Sequence, residues 1–100
     1  MVVRQLPWVA GSDALQPGGE PIFGSAMREL AAAIQATTKH YKIEAKVEDQ
    51  GGKAPSRLLA QKRAAAVVAG LTARGVPAER LVVSGGGSDK DPRIVVSEGK

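Results

Sequence analysis

The chain has 100 residues, which predicts a single domain because domains typically span roughly 100 to 200 residues. Hydrophobic residues make up 43% of the chain and charged residues 24%, a balance typical of a folded globular domain. Cysteine is absent and His40 is the only histidine. This composition excludes a disulfide framework and a thiolate metal site, and we expect no metal or other cofactor.

Fourteen basic and ten acidic residues give the chain a formal net charge of +4. The basic residues are scattered among acidic ones and few aromatic residues accompany them, so the pattern does not favour nucleic-acid binding. No stretch of about 18 apolar residues is present, and we therefore expect no insertion into a membrane. The N-terminus lacks the regions of a signal peptide, and we expect the chain to be a piece of a larger protein.

The first half of the chain predicts a strand, a helix and a second strand. Residues 2–10 are apolar but contain Pro7, which favours an edge strand or a broken strand. Residues 20–40 have the apolar spacing of a helix. Its predicted buried stripe is Ile22, Met27, Leu30, Ala31 and Ile34. Residues 41–48 alternate between apolar and charged side chains, which predicts a strand with one face on the core and one in water.

The second half predicts a helix and two strands. Ser56 is expected to cap a helix over residues 57–74, which Gly75 ends. The predicted buried side of this helix is Leu58, Leu59, Ala65, Val68 and Leu71. Residues 81–83 predict a short buried strand that ends at three glycines, and residues 94–96 predict the last strand.

The resulting order is β-α-β-α-β-β. Two helices that follow strands in this order are expected to cover one face of a four-stranded mixed sheet. The fold class is therefore α/β, in the form of an α+β sandwich with one open sheet face.

The sequence does not predict an enzyme. No serine has a His–Asp pair to activate it, since His40 is the only histidine. The glycines at 85–87 are followed neither by a helix nor by a Gly-Lys-Ser/Thr motif, so a phosphate-binding loop is not expected. The adjacent Glu48 and Asp49 point to opposite faces of a strand, which disfavours a paired acid–base role.

Five segments, in order along the whole chain, resemble the OmpA-like peptidoglycan-binding family. They are GSDALQPGGE at 11–20, IEAKVED at 43–49, LAQKRAAAV at 59–67, GVPAERL at 75–81 and SGGGS at 84–88. The resemblance implies a non-catalytic domain that holds the peptide stem of peptidoglycan in the periplasm. It would anchor an envelope or secretion-system protein to the cell wall.

The resemblance also implies which residues bind the ligand. In the family, an aspartate that closes the second strand takes the ammonium of diaminopimelate, and this position is similar to Asp49. An arginine on the next helix takes the carboxylate, and this position is similar to Arg63. A charged fork suits a carboxylate because it can hold both oxygens. Further candidates for ligand contacts are Ser56, Lys53, Arg57 and Arg93.

The chain departs from the family pattern at several positions of this site. Val47 and Glu48 stand where the family has His-Thr, and Gly86 stands where it has an aromatic residue. The segment before the last strand is shorter than in the family. These departures favour an alternative, a degenerate module that serves protein–protein interaction or structure in an envelope complex. The charges of Asp49 and Arg63 would then be surface charges, or an ion pair that holds a loop to a helix.

Overall fold

The computed structural model of the chain describes residues 1–4 and 6–99 and confirms the predicted order of elements. The elements are β1 (Val2–Arg4), α1 (Glu20–Gln35), β2 (His40–Val47), α2 (Lys53–Thr72), β3 (Leu81–Ser88) and β4 (Arg93–Gly99). A short 3-10 turn, Ala78–Arg80, leads into β3. Within the described residues, neither α-helix is long and apolar enough to span a membrane.

The four strands form one mixed sheet in the order β1-β4-β2-β3. β2 and β3 are parallel, whereas β4 runs antiparallel to both β1 and β2. A parallel pair needs a crossover connection, which α2 supplies. Both helices and the inner face of β2 contribute side chains to one core. The predicted fold class is therefore confirmed.

The N-terminal strand is shorter than the predicted edge strand over residues 2–10. β1 lies at the sheet edge as expected but ends at Arg4, and Gln5 lies outside the described residues. Trp8 makes an isolated bridge to Leu15. Its ring is partly buried, and the ring centroid lies 5.8 Å from that of Phe23 in an edge-on arrangement. This contact packs residues 8–15 against the start of α1.

The buried stripe of α1 matches the prediction except at its first position. Met27, Leu30, Ala31 and Ile34 are buried, whereas Ile22 is exposed. Ile22 precedes Met27 by five residues, which turns it about 140° around the helix axis. The partly buried Phe23 faces the core in its place.

The helix α2 begins earlier than predicted, and its buried face agrees only in part with the predicted one. Its first residue is Lys53, so Ser56 lies inside the first turn rather than at the N-cap. Leu58 is 54% exposed and Ala65 is also exposed, contrary to expectation. Leu59 and Leu71 are buried as predicted, and Val68 packs partly buried against the core. The full buried face is Ser56, Leu59, Ala60, Arg63, Ala64, Val67 and Leu71. The small alanines on this face let the helix lie close to the sheet. The size of an apolar side chain therefore does not predict its burial on α2, since the large Leu58 is exposed.

Strand β3 differs from the predicted short buried strand. It continues through the three glycines to Ser88, and Val82 and Val83 are exposed because β3 lies at the sheet edge. The pairing register of β2 and β3 shifts between Glu44 and Lys46, which is a β-bulge. A Cβ atom at Gly86 would overlap the carbonyl oxygen of Ala45, so the strands approach closely because residue 86 is glycine.

We predict that Gly86→Ala lowers the free energy of unfolding by about 1 to 3 kcal/mol, because the added methyl group forces β3 away from β2. The control is Gly87→Ala, where a Cβ atom has no neighbour within 4 Å. Urea unfolding followed by circular dichroism measures both variants. Equal unfolding midpoints for the two variants would contradict the close approach at Gly86.

Candidate ligand-binding site

Arg63 is a buried cation on the inner face of α2. Its side chain is 3% exposed, and its guanidinium forms a two-pronged ion pair with Glu48. Nη1 donates to Oε1 of Glu48 at 2.8 Å, and Nη2 donates to Oε2 at 3.2 Å. Nε donates to the carbonyl oxygen of Ser12 at 2.8 Å, and Nη2 reaches that of Val9 at 3.3 Å. The guanidinium carbon also lies 5.5 Å from the centroid of the Trp8 ring, a cation–π distance.

These contacts join three parts of the molecule that are distant in sequence. Glu48 follows β2, Arg63 is on α2, and the accepting carbonyl groups belong to the loop at 9–12. The backbone N–H of Gly11 donates to Oε2 of Glu48 at 3.2 Å and adds a further link. The network therefore holds the 9–12 loop against the helix and the end of the strand. Arg63 thus forms an ion pair that holds a loop to a helix, but its partner is Glu48 and not Asp49, the partner in the predicted alternative.

The electrostatics of Glu48 reflect this network. Hydrogen bonds from the Arg63 guanidinium lower the pKa of Glu48 from its ordinary 4.5 to about 2. Burial acts in the opposite direction, while the backbone N–H of Gly11 adds to the lowering. Glu48 is therefore ionised at neutral pH, and its negative charge neutralises the positive charge of the buried guanidinium.

Asp49 is held in a fixed orientation by the loop that leads into α2. Its Oδ1 accepts hydrogen bonds from the backbone N–H groups of Gly51 and Gly52, both at 3.1 Å. Both glycines have positive φ, at 91° and 145°, which turns their N–H groups to the same oxygen. The Ser56 hydroxyl donates to Oδ1 at 3.2 Å. These donors, the Gly52 N–H foremost, lower the pKa of Asp49. Among the described residues, none forms a hydrogen bond with Oδ2.

Ser56 has a role other than the predicted N-cap. It is buried, and its single hydroxyl proton is shared between Oδ1 of Asp49 at 3.2 Å and the carbonyl oxygen of Gly52, which is closer at 2.7 Å. The same hydroxyl accepts from the backbone N–H of Gln50 at 3.0 Å. Ser56 therefore holds Asp49 and the 50–52 loop in place from the buried side of α2, and it is itself shielded from solvent.

The structure does not bring Asp49 and Arg63 into a common cavity. Asp49 lines an open cavity of about 520 Å³. The other residues of this acidic cavity are Glu48, Ser88, Asp89, Lys90 and Pro92. Arg63 borders a separate cavity of about 310 Å³ on its Trp8 side, together with Lys46 and Arg93. Glu48 stands between the two, since it lines the first cavity and binds the arginine of the second.

The remaining predicted ligand residues lie around these cavities. Arg93 forms an ion pair with Asp89 at 3.2 Å and also donates to the carbonyl oxygen of Asp91 at 2.8 Å. Lys53 and Arg57 are exposed on α2 and line neither cavity. Among residues 1–4 and 6–99, no group of three or more histidine or acidic side chains is placed to hold a metal ion.

Sequence reasoning missed the part that Glu48 plays. It recognised Glu48 as a departure from the family pattern but did not pair it with Arg63. The available signal was Glu48 itself, an acidic residue beside the end of β2. Arg63 on the following helix had no predicted intramolecular partner other than Asp49. The 9–12 loop carried no such signal, because it contributes backbone carbonyl groups rather than a distinctive side chain.

Comparison with known proteins identifies the family. The sequence profile of the OmpA family matches residues 9–96. This chain belongs to the OmpA family. No protein with curated annotation gives a significant match.

Solved structures with the OmpA-like fold are similar to this domain. The C-terminal domain of Helicobacter pylori MotB has a TM-score of 0.67 and 20% identity, covering 93% of this chain and 82% of that one. The cell wall anchor of the T6SS from Pseudomonas aeruginosa has a TM-score of 0.69 and 16% identity, covering 99% and 80%. The peptidoglycan-associated lipoprotein from Burkholderia pseudomallei has a TM-score of 0.62 and 21% identity, covering 98% and 89%. These likenesses confirm the fold.

The lowered pKa of Glu48 predicts how acid affects the stability of this OmpA-family domain. A carboxyl group whose pKa is lower in the folded state stabilises that state above its unfolded pKa. Here the stabilisation is lost as the pH falls from about 4.5 through about 2. Between about pH 7 and about pH 2.5, wild type should lose about 1 to 2 kcal/mol more than Glu48→Gln, allowing for solvent screening. Urea unfolding at the two pH values measures this, and equal losses would contradict it.

Removal of the buried cation should destabilise the domain far more than removal of its exposed neighbour. Arg63→Met removes the donor to the partly exposed carboxylate of Glu48 and to the carbonyl oxygens of Ser12 and Val9, and we expect a loss of about 1 to 3 kcal/mol. Lys62→Met is the matched control, because Lys62 is exposed and should change stability by less than about 0.5 kcal/mol. Thermal unfolding gives the comparison. Similar melting temperatures for the two variants would show that the ion-pair network does not stabilise the fold.

Proposed function

We propose that this domain is a non-catalytic binding domain for the peptide stem of peptidoglycan. It would act in the periplasm, where it would anchor a larger envelope protein to the cell wall. The observation that carries the proposal is the Asp49 carboxylate, which three donors orient while Oδ2 has no hydrogen-bond partner among the described residues. Membership of the OmpA family supports it. Two similar structures are described as a cell wall anchor and a peptidoglycan-associated lipoprotein.

Asp49 is suited to an ammonium ligand. Its lowered pKa keeps the carboxylate charged, and it is exposed at the edge of the acidic cavity. The ammonium of diaminopimelate would donate to Oδ2, and such charge-assisted hydrogen bonds contribute about 1.5 to 3 kcal/mol. Because Oδ1 is already held by the loop, little side-chain entropy is lost on binding.

The proposed role of Arg63 follows from its position. The guanidinium already holds one carboxylate, that of Glu48, so a ligand bound at Asp49 would bring its carboxylate to Arg63 only by displacing that side chain. Asp49 is therefore the residue to which we assign the first contact. Ser56 would position Asp49, and Arg93 would orient Asp89 on the opposite wall of the acidic cavity. Lys53 and Arg57 are secondary candidates for carboxylate or phosphate groups, since both are exposed on α2.

One observation favours a second candidate function. This observation is the ion pair in which Glu48 binds both prongs of the Arg63 guanidinium. If no ligand displaces Glu48, the domain would be a degenerate OmpA-like module that serves protein–protein interaction or structure in an envelope or secretion complex. The ion pair and its loop would then be purely structural. This alternative predicts an intact fold with no response to peptidoglycan fragments.

A titration with a diaminopimelate-containing muropeptide tests the proposed function. We expect saturable chemical-shift changes in the NMR spectrum of the domain, clustered at 48–56 and 88–92. Asp49→Asn keeps an oxygen for the loop donors but removes the charge, and it should weaken binding about tenfold to a hundredfold. Asp13→Asn is the matched control, because Asp13 is an exposed residue that lies outside the acidic cavity.

Binding that Asp49→Asn and Asp13→Asn weaken equally would contradict the assignment of Asp49. No shift changes at millimolar concentrations of the muropeptide, with the folded spectrum retained, would overturn binding of free diaminopimelate. If stem peptides with amidated diaminopimelate or lysine also fail to bind, wall binding is overturned and the interaction module is favoured.

A further inference from the structure

We propose that Glu48 determines the ligand specificity of this site. Because Glu48 holds Arg63, the site would select a primary ammonium that has no carboxylate on the same carbon, and it would disfavour a free zwitterionic centre. In peptidoglycan, this chemistry belongs to diaminopimelate amidated beside its free amine and to lysine. The inference rests on the proposed function, since it concerns the ligand that Asp49 receives.

The first support is that Arg63 is closed to a ligand on the side of Asp49. Both prongs of the guanidinium are bound to Glu48, and the loop carbonyl groups take further N–H groups. Only 3% of the side chain is exposed. The cavity that Arg63 does border is the one on its Trp8 side, which does not include Asp49. A ligand bound to Asp49 therefore meets Glu48 before it meets the guanidinium.

The second support is the charge of the cavity that Asp49 lines. Its walls carry the carboxyl groups of Glu48, Asp49 and Asp89 and one cationic side chain, that of Lys90. Arg93, which approaches from β4, pairs with Asp89 and borders the other cavity. An ammonium entering this space is attracted by its walls, whereas a carboxylate on the same carbon is repelled by them.

The third support is the anchoring of Glu48 itself. Besides the two bonds from Arg63, its Oε2 accepts from the backbone N–H of Gly11. A ligand carboxylate that displaced Glu48 would therefore break three hydrogen bonds, one of which holds the 9–12 loop. A neutral carboxamide, or a carbon without a carboxyl group, needs no such displacement.

The decisive comparison uses three stem peptides on the wild-type domain. They are the tripeptide with free diaminopimelate, the same peptide amidated at the carboxyl group next to its free amine, and the peptide with lysine. We expect the amidated and lysine peptides to bind about tenfold more tightly than the free one, as for a like-charge repulsion in a partly screened site. Calorimetry or NMR titration gives the three affinities.

The variant Glu48→Gln tests the cause of the preference. It removes the competing charge, so the ratio between the amidated and the free peptide should fall to about one or reverse. Glu29→Gln, at an exposed position on α1, is the control and should keep the wild-type ratio. If Glu48→Gln does not fold, the wild-type comparison alone decides.

The outcomes separate the two proposals. Equal or tighter wild-type binding of the free diaminopimelate peptide would overturn the inference and leave the proposed function intact. A preference that persists unchanged in folded Glu48→Gln would show that Glu48 is not its cause and would overturn the inference too. Failure of all three peptides to bind the wild-type domain would overturn the proposed function, and the specificity with it.

Discussion

The structure depends on the neutralisation of one buried cation. A guanidinium that is 3% exposed is tolerated only where an opposite charge and polar atoms replace its water. Glu48 supplies the charge, and the carbonyl groups of Val9 and Ser12 supply the polar atoms. Since these partners come from two segments distant from α2 in sequence, satisfying Arg63 joins the N-terminal loop, the end of β2 and the middle of α2.

The same requirement shapes the surface available to a ligand. By turning to Arg63, Glu48 separates the acidic cavity beside Asp49 from the cavity beside Trp8. Asp49 and Arg63 therefore face different cavities. The fold does not by itself determine this feature, because the fold follows from the apolar pattern of the core whereas the cavities follow from individual polar residues.

Several residues show which structural features could be predicted from the sequence and which could not. The alternation of β2 predicted its buried face because a strand has a fixed period of two and the charged positions contrast strongly with the apolar ones. The same approach succeeded only in part on α2, where residues 64–71 are all small or apolar and offer no polar contrast to locate the stripe. There, close packing of alanines against the sheet buried Ala60 and Ala64 and left Leu58 in solvent. The glycines at 85–87 predicted the end of a strand, but β3 continues through them. The absence of a side chain at Gly86 lets β3 lie close to Ala45 of β2.

The sequence by itself determined the order of elements, the mixed sheet with its two helices, the family and the position of Asp49 at a strand end. These follow from local periodicity, turn residues and short motifs, which act over a few neighbouring residues. Only the tertiary structure decided that Arg63 is buried, that Glu48 binds it and that Asp49 lines a different cavity. Those contacts span 15 to 54 residues along the chain, and the pairing of charges over such separations is set by how the helix, strand and loop pack together.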